Sequence, residues 1–189
     1  GNYLTYPAPE GTRRKDRFRM LDSKGAFIGL YEVQYIASEK MHLIPKKMFA
    51  WTIREERFGD PVTAFKEELI DVPAIKDDEI LVAVMAVGLD YNGIWAGLGK
   101  PKNVIKQNGN YSFEKMPFHI CGSEAGGIVW AVGSSVTKFK PGDEVIIGGT
   151  ISSVTDDEIR SGIDEVISKD FRIWGYEENY GGFAQFTIA

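Results

Sequence analysis

The chain has little of what most metal, redox and nucleic-acid proteins are built from. Its 189 residues include one cysteine, Cys121, and two histidines, His42 and His119. A lone cysteine excludes an intrachain disulfide, and so few imidazoles and thiols leave little for a metal site. Basic residues are outnumbered, 22 Lys and Arg against 27 Asp and Glu, for a net charge of −5. Neither charge sign forms a block long enough for a tail, so nucleic acid is not an expected partner. The longest apolar run, "ILVAVMAVGL" at 80–89, is half of the roughly 20 residues a membrane helix needs. No membrane association is expected, and with no charged-then-apolar leader the reading is a soluble, cytoplasmic protein. No internal repeat is visible, nor any long stripe with the 3.6-residue period of an amphipathic helix.

What is present is a core: 43% of the residues are hydrophobic and 12% aromatic, enough for one compact domain plus an extension. Residues 1–45 carry prolines and a basic cluster, Arg13, Arg14, Lys15, Arg17 and Arg19, and read as an extended arm or linker. The cluster is expected to be a solvated face, a phosphate-contacting patch being the minority alternative. From 46 to 189, short β-rich runs such as "MFAWTI", "EILVAVMAVGL", "GGIVWAVG" and "FAQFTIA" alternate with "GD", "KDD", "PGD" and "NYGG". That pattern predicts a mainly β domain with short helices (α+β), an antiparallel barrel or sandwich. "DDEIRSGIDEVI" is the best candidate for a short helix. The glycine clusters lack the G-x-G-x-x-G spacing between a strand and a helix that a dinucleotide-binding unit requires.

Two stretches carry the chemistry. In "GLDYNGIWAGLGKP", 88–101, an acid, a phenol, an amide and an indole crowd together directly after a strand. If the chain leaves that strand extended, Asp90 and Asn92 share a face and Tyr91 points the other way; on residue type alone, a self-capping turn is the alternative. In "GSEAGGIVWAVGSSVTKFKPGDEV", 122–145, glycines at 122, 127, 133 and 142 punctuate β runs.

The second stretch resembles the catalytic domain of the medium-chain dehydrogenase/reductase superfamily, a GroES-like barrel that precedes a Rossmann domain. In its zinc-dependent members the residue after the first glycine is a histidine ligand and an earlier ligand is a cysteine. Ser123 and, by position, Asp90 stand there, so no catalytic zinc is expected. Cys121, one residue off, is expected as a small buried apolar residue. "LYEV", "IPKKMFAWTIREERFGDP", "DYNGIWAGLGKP", "FHICGSEAGGIVWAVG" and "RIWGYE" together resemble the crotonyl-CoA carboxylase/reductase family, which includes non-carboxylating enoyl-CoA reductase domains such as that of propionyl-CoA synthase.

That resemblance implies NADPH as cofactor, bound mainly by a Rossmann domain absent from this chain, and an enoyl-CoA substrate. Hydride goes to the β-carbon, and the enolate is captured at the α-carbon by CO2 or by a proton. It implies a site built from Asp90, Asn92, Tyr176 and Glu177. An amide that holds CO2 falls on Asn92, with position 90 as the alternative. Asp90 departs from the family's amide and tilts the reading toward plain reduction over reductive carboxylation. An aromatic followed by glutamate matches Tyr176 and Glu177, the glutamate ordering a water or aiding proton delivery. Association as a homo-oligomer is implied as well. The competing reading is a non-catalytic barrel module, which isothermal titration with NADPH discriminates. His119 is expected as a satisfied structural histidine, Trp95 and Trp130 as core or interface anchors, and 151–170 as a surface insertion.

Overall fold

The computed structural model describes residues 4–7, 15–21, 27–31, 44–106 and 116–189. His42 and the basic residues Arg13 and Arg14 lie outside them. Within the stretch expected as an arm, β1 (Leu4–Pro7), β2 (Lys15–Leu21) and β3 (Phe27–Tyr31) pair as an antiparallel meander with a register shift at Met20/Leu21. The arm thus carries local sheet where its irregular sequence predicted none.

The remaining elements are strands joined by short helical turns. They run β4 (Lys47–Ile53), α1 (Pro61–Ala64), β5 (Lys66–Asp71), β6 (Ile80–Val87) and α2 (Tyr91–Leu98). After them come β7 (His119–Ile120), β8 (Ala125–Val132), β9 (Glu144–Ile147), β10 (Thr150–Ile151), α3 (Asp156–Arg160), β11 (Arg172–Ile173) and β12 (Phe186–Ile188). The sheets are β12-β6-β8-β9, β5-β4-β7 and β10-β11, and every strand pair among the described residues is antiparallel. This is the expected mainly β architecture with short helices.

The unbroken apolar run of β6 follows from its position. Leu81 and Ala83 pack into one core with Met48, Ile120, Trp130 and Phe186, while Ile80 and Val82 face a second core with Val129 and Trp174. A strand covered on both faces loses the polar half of the usual alternation. Trp130 is a core anchor, its ring edge-on to Phe186 with centroids 5.5 Å apart. The segment 183–188 binds the two larger sheets together. Trp51 N–H donates to Phe183 O at 2.8 Å and Gln185 N–H to Phe49 O at 3.1 Å, after which β12 pairs with β6.

A charged knot closes the end of this sheet near β4. Arg54 grips both oxygens of Glu68 through Nε and Nη2, at 3.0 and 2.6 Å. Arg57 reaches Glu68 Oε1 at 2.8 Å, and Thr52 Oγ1 donates to the same oxygen at 2.7 Å. The Arg54 hydrogen bonds hold the Glu68 carboxyl down to about 2. Glu68→Gln keeps the shape but leaves two guanidiniums facing a neutral amide, so a loss of about 2 kcal/mol is expected. Urea denaturation of the variant checks this; an unchanged midpoint would show that solvent screens the knot.

Among the described residues no helix is long and apolar enough to cross a membrane. The 151–170 segment lies on the surface as expected. Its helix α3 starts at a capping box in which Glu158 N–H donates to Thr155 Oγ1 and Thr155 N–H to Glu158 Oε2.

Candidate active site

Asp90 does not continue the β6 strand into an extended edge. It is the N-cap of α2: its backbone is extended (φ −133°, ψ 175°) and its Oδ1 accepts from Gly93 N–H at 3.3 Å. The expected sharing of one face by residues 90 and 92 through strand alternation is therefore corrected. Asp followed by helix-compatible residues, with a left-handed Gly99 (φ 67°) ending the turn, is a complete start-and-stop pattern. Eight residues are too few to show a helical stripe. The two side chains nevertheless meet, because Asn92 Nδ2 donates to Asp90 Oδ2 at 3.3 Å and to Ser123 Oγ at 3.0 Å. Tyr91 and Trp95 fall one turn apart on the outer face of α2, ring centroids 6.2 Å apart and both well exposed. Trp95 is thus not a core anchor.

The amide of Asn92 leans on the segment Cys121–Gly122–Ser123, all of it buried. Burial, with the Asp90 charge adding to it, pushes the Cys121 thiol far up, so it stays protonated and inert. On the other side of the same segment sits the turn that carries Tyr176 and Glu177. Gly175 has φ +69°, and a Cβ there would overlap the carbonyl oxygen of Gly122. Only glycine permits this approach. The tight stack brings the two halves of the predicted site, 86 positions apart from Asp90 to Tyr176, onto one three-residue platform.

Both members of the aromatic and acid pair are buried. Among the described residues the Tyr176 hydroxyl has no hydrogen-bond partner. Its pKa is raised by burial and by the neighbouring Cys121 and Glu177, with the Lys102 backbone N–H lying near enough to oppose this. Glu177 has both oxygens engaged: Oε1 pairs with Lys102 Nζ, and Oε2 accepts from Ile173 N–H at 2.8 Å. The next residue, Glu178, has its own cation, Arg172 Nε at 2.7 Å. Lys102 was missed in the sequence, because the motif "DYNGIWAGLGKP" was read only as far as Pro101, one residue short of it. A lysine one residue past a helix-ending Gly and Pro was the available signal.

His119 is the satisfied structural histidine expected. It is fully buried, and Nε2 donates to Gly175 O at 3.2 Å, tying β7 to the same turn. Burial pushes its pKa down to about 4, so the ring is neutral near pH 7.

Zinc does not fit this donor set. At the two ligand positions, Asp90 is spent on capping α2 and Ser123 offers a hydroxyl in place of imidazole or thiolate. Among the described residues no three His, Cys, Asp or Glu side chains cluster as metal ligands.

The alcohol dehydrogenase GroES-like domain family matches residues 76–189. Crotonyl-CoA carboxylase/reductase of Cereibacter sphaeroides is 49% identical over 144 residues, covering 76% of this chain and 32% of that protein. Crotonyl-CoA reductase of Streptomyces collinus is 30% identical over 185 residues, 92% of this chain and 40% of that protein. Among solved structures, the crotonyl-CoA carboxylase/reductase AntE in complex with NADP superposes with a TM-score of 0.68 at 47% identity, covering 78% of this chain and 36% of that one. The chain therefore spans about a third of the length of the relatives it matches.

Proposed function

Because the chain belongs to the alcohol dehydrogenase GroES-like domain family, we propose that it is the substrate-side domain of an NADPH-dependent enoyl-CoA reductase whose enolate is protonated. The observation that carries this reading is the convergence on Cys121–Ser123 of the α2 N-terminus with the Tyr176–Glu177 turn. Two loops distant in sequence are spent on placing an acid, an amide, a phenol and a second acid together. Bound NADPH supplies the hydride that reaches the β-carbon of a short enoyl-CoA, and the cofactor is held mainly by a Rossmann domain outside this chain.

What this chain's residues contribute is the environment in which the α-carbon of the enolate meets its electrophile. Asn92 has both amide hydrogens turned inward, to Asp90 and Ser123. Its N–H groups are thereby withdrawn from a CO2 molecule, and the Asp90 carboxylate sets negative charge beside an electron-rich centre. Both effects disfavour holding CO2 and favour protonation. Reductive carboxylation remains the second reading, supported by Asn92 and by the names of the relatives.

The test is product analysis by mass spectrometry on the full-length polypeptide containing this chain, with NADPH, crotonyl-CoA or acryloyl-CoA and labelled bicarbonate. A saturated acyl-CoA without label is expected, and a folded but inert protein would sink the proposal. In Asp90→Asn the carboxylated share should rise on the order of tenfold, a change of about 1.4 kcal/mol in barrier difference, as the negative charge beside the enolate is removed. Asparagine caps helices as well as aspartate does, so the variant changes charge and leaves α2 intact. An unchanged product ratio would remove Asp90 as the discriminator.

A further inference from the structure

Glu177 is held at the site by one residue that neither its own turn nor α2 supplies. Lys102 follows α2 in the 99–102 loop, 75 positions from Glu177, and its ammonium reaches Oε1 of a carboxylate whose side chain is only 7% exposed. The lysine stem is half exposed, so its ammonium enters from the solvent side while the acid lies beneath it. Its backbone N–H also lies beside the Tyr176 hydroxyl. Lys102 therefore engages the acid of the pair directly through its side chain.

No other cation among the described residues serves this acid. Arg172, the nearest guanidinium in sequence, is taken by Glu178. The second oxygen of Glu177 is already anchored by the Ile173 amide, so the ion pair with Lys102 completes the definition of the carboxylate plane. A buried carboxylate with only one oxygen fixed rotates about its χ3 bond or draws in water. With both fixed it points one way.

We propose that Lys102 is a positioning residue: it sets the orientation of the Glu177 carboxylate and, through it, the water or proton path at the substrate α-carbon. This role rests on the enoyl-CoA reductase reading for its catalytic consequence, and on the ion pair alone for its structural one. A glutamate engaged in this way acts as a fixed hydrogen-bond acceptor that orients a water, because its oxygens are committed as acceptors to two donors.

The experiment uses the full-length polypeptide and three variants, Lys102→Met, Lys102→Arg and Glu177→Gln. A crystal structure of Lys102→Met is expected to show the Glu177 carboxylate rotated away from its present plane. With NADPH and crotonyl-CoA, kcat should fall roughly 10- to 100-fold, the scale expected when a positioned group moves by about 1 Å, with KM for both substrates within a factor of about two. Lys102→Arg should recover most of kcat, and Lys102→Met in a Glu177→Gln background should lose little more, because both changes act through one carboxylate. A Glu177 carboxylate unmoved in Lys102→Met overturns the proposal whether or not the protein is active on enoyl-CoA. So does full additivity of the two substitutions in kcat, or equal damage from the Arg and Met variants. An unsubstituted protein inert toward enoyl-CoA sinks the reductase reading separately, and the position of Glu177 still decides the role of Lys102.

Discussion

Gly175→Ala is expected to destabilise the fold by about 3 kcal/mol or more. Two costs add. The left-handed backbone at φ +69° penalises an L side chain by about 1–2 kcal/mol. The new Cβ would also overlap the Gly122 carbonyl oxygen and press within 3.2 Å of Gly181 Cα, an overpacking cost of about 1–3 kcal/mol. Backbone atoms on both sides leave no flexible side chain to yield. Gly148→Ala is the control, since a Cβ there meets nothing within 4 Å, and it should stay within about 0.5 kcal/mol of the parent. Chemical denaturation of both variants decides the matter. A Gly175→Ala protein less than about 1 kcal/mol weaker would mean that the turn carrying Tyr176 and Glu177 is not wedged against Cys121–Ser123.

Acid should unfold the chain in a window set by His119. The buried ring titrates at about 4 in the folded state against 6.5 for an ordinary histidine. The unfolded chain thus binds a proton in this range that the folded chain refuses. Stability from this source is complete above pH 6.5 and declines as pH falls from 6.5 toward 4. The total is about 3 kcal/mol, at about 1.36 kcal/mol for each unit of difference. Burial is the dominant cause, with the Gly175 carbonyl and Asn179 opposing it. The lowered Glu68 carboxyl acts in a different window: its contribution is present above 4.5 and is lost toward about 2. Denaturant midpoints measured between pH 7 and 4 should therefore slope downward in the parent and flatten in His119→Gln. A slope that persists in that variant would assign the effect elsewhere.

The sequence was most legible where one strand or one motif carried the information. The β-rich runs separated by turn residues fell where strands β4, β6, β8 and β9 lie, and "GSEAGG" opened β8 as its glycines suggested. His119 and Cys121 were read as buried and chemically quiet, and both are buried. The helix α2 was illegible because its apolar face is short and its outer face is aromatic. Tyr91 and Trp95 look like strand or core residues by type, yet both stand well exposed. The residue before them hid the cap: Asp90 was weighed as a charge beside the enolate, with a self-capping turn as the alternative, and its geometry makes it the N-cap that starts the helix.

The four residues of the candidate site came from the resemblance of longer motifs to a known family; composition and local pattern by themselves determined the mainly β class, the want of a strand–glycine–helix unit for a dinucleotide, and the poverty in metal ligands. Those properties depend on residue type and on spacings of a few positions, which a linear chain displays directly. Only the tertiary structure decided that Asn92 turns its amide hydrogens to Asp90 and Ser123, that Lys102 pairs with Glu177 across 75 positions, and that His119 is tied to the Gly175 turn across 56. Such partners are chosen by which loops a closed β framework stacks together and by the cost of leaving a buried polar group unpaired. Neither quantity has a local period, so it exists only once the chain has folded.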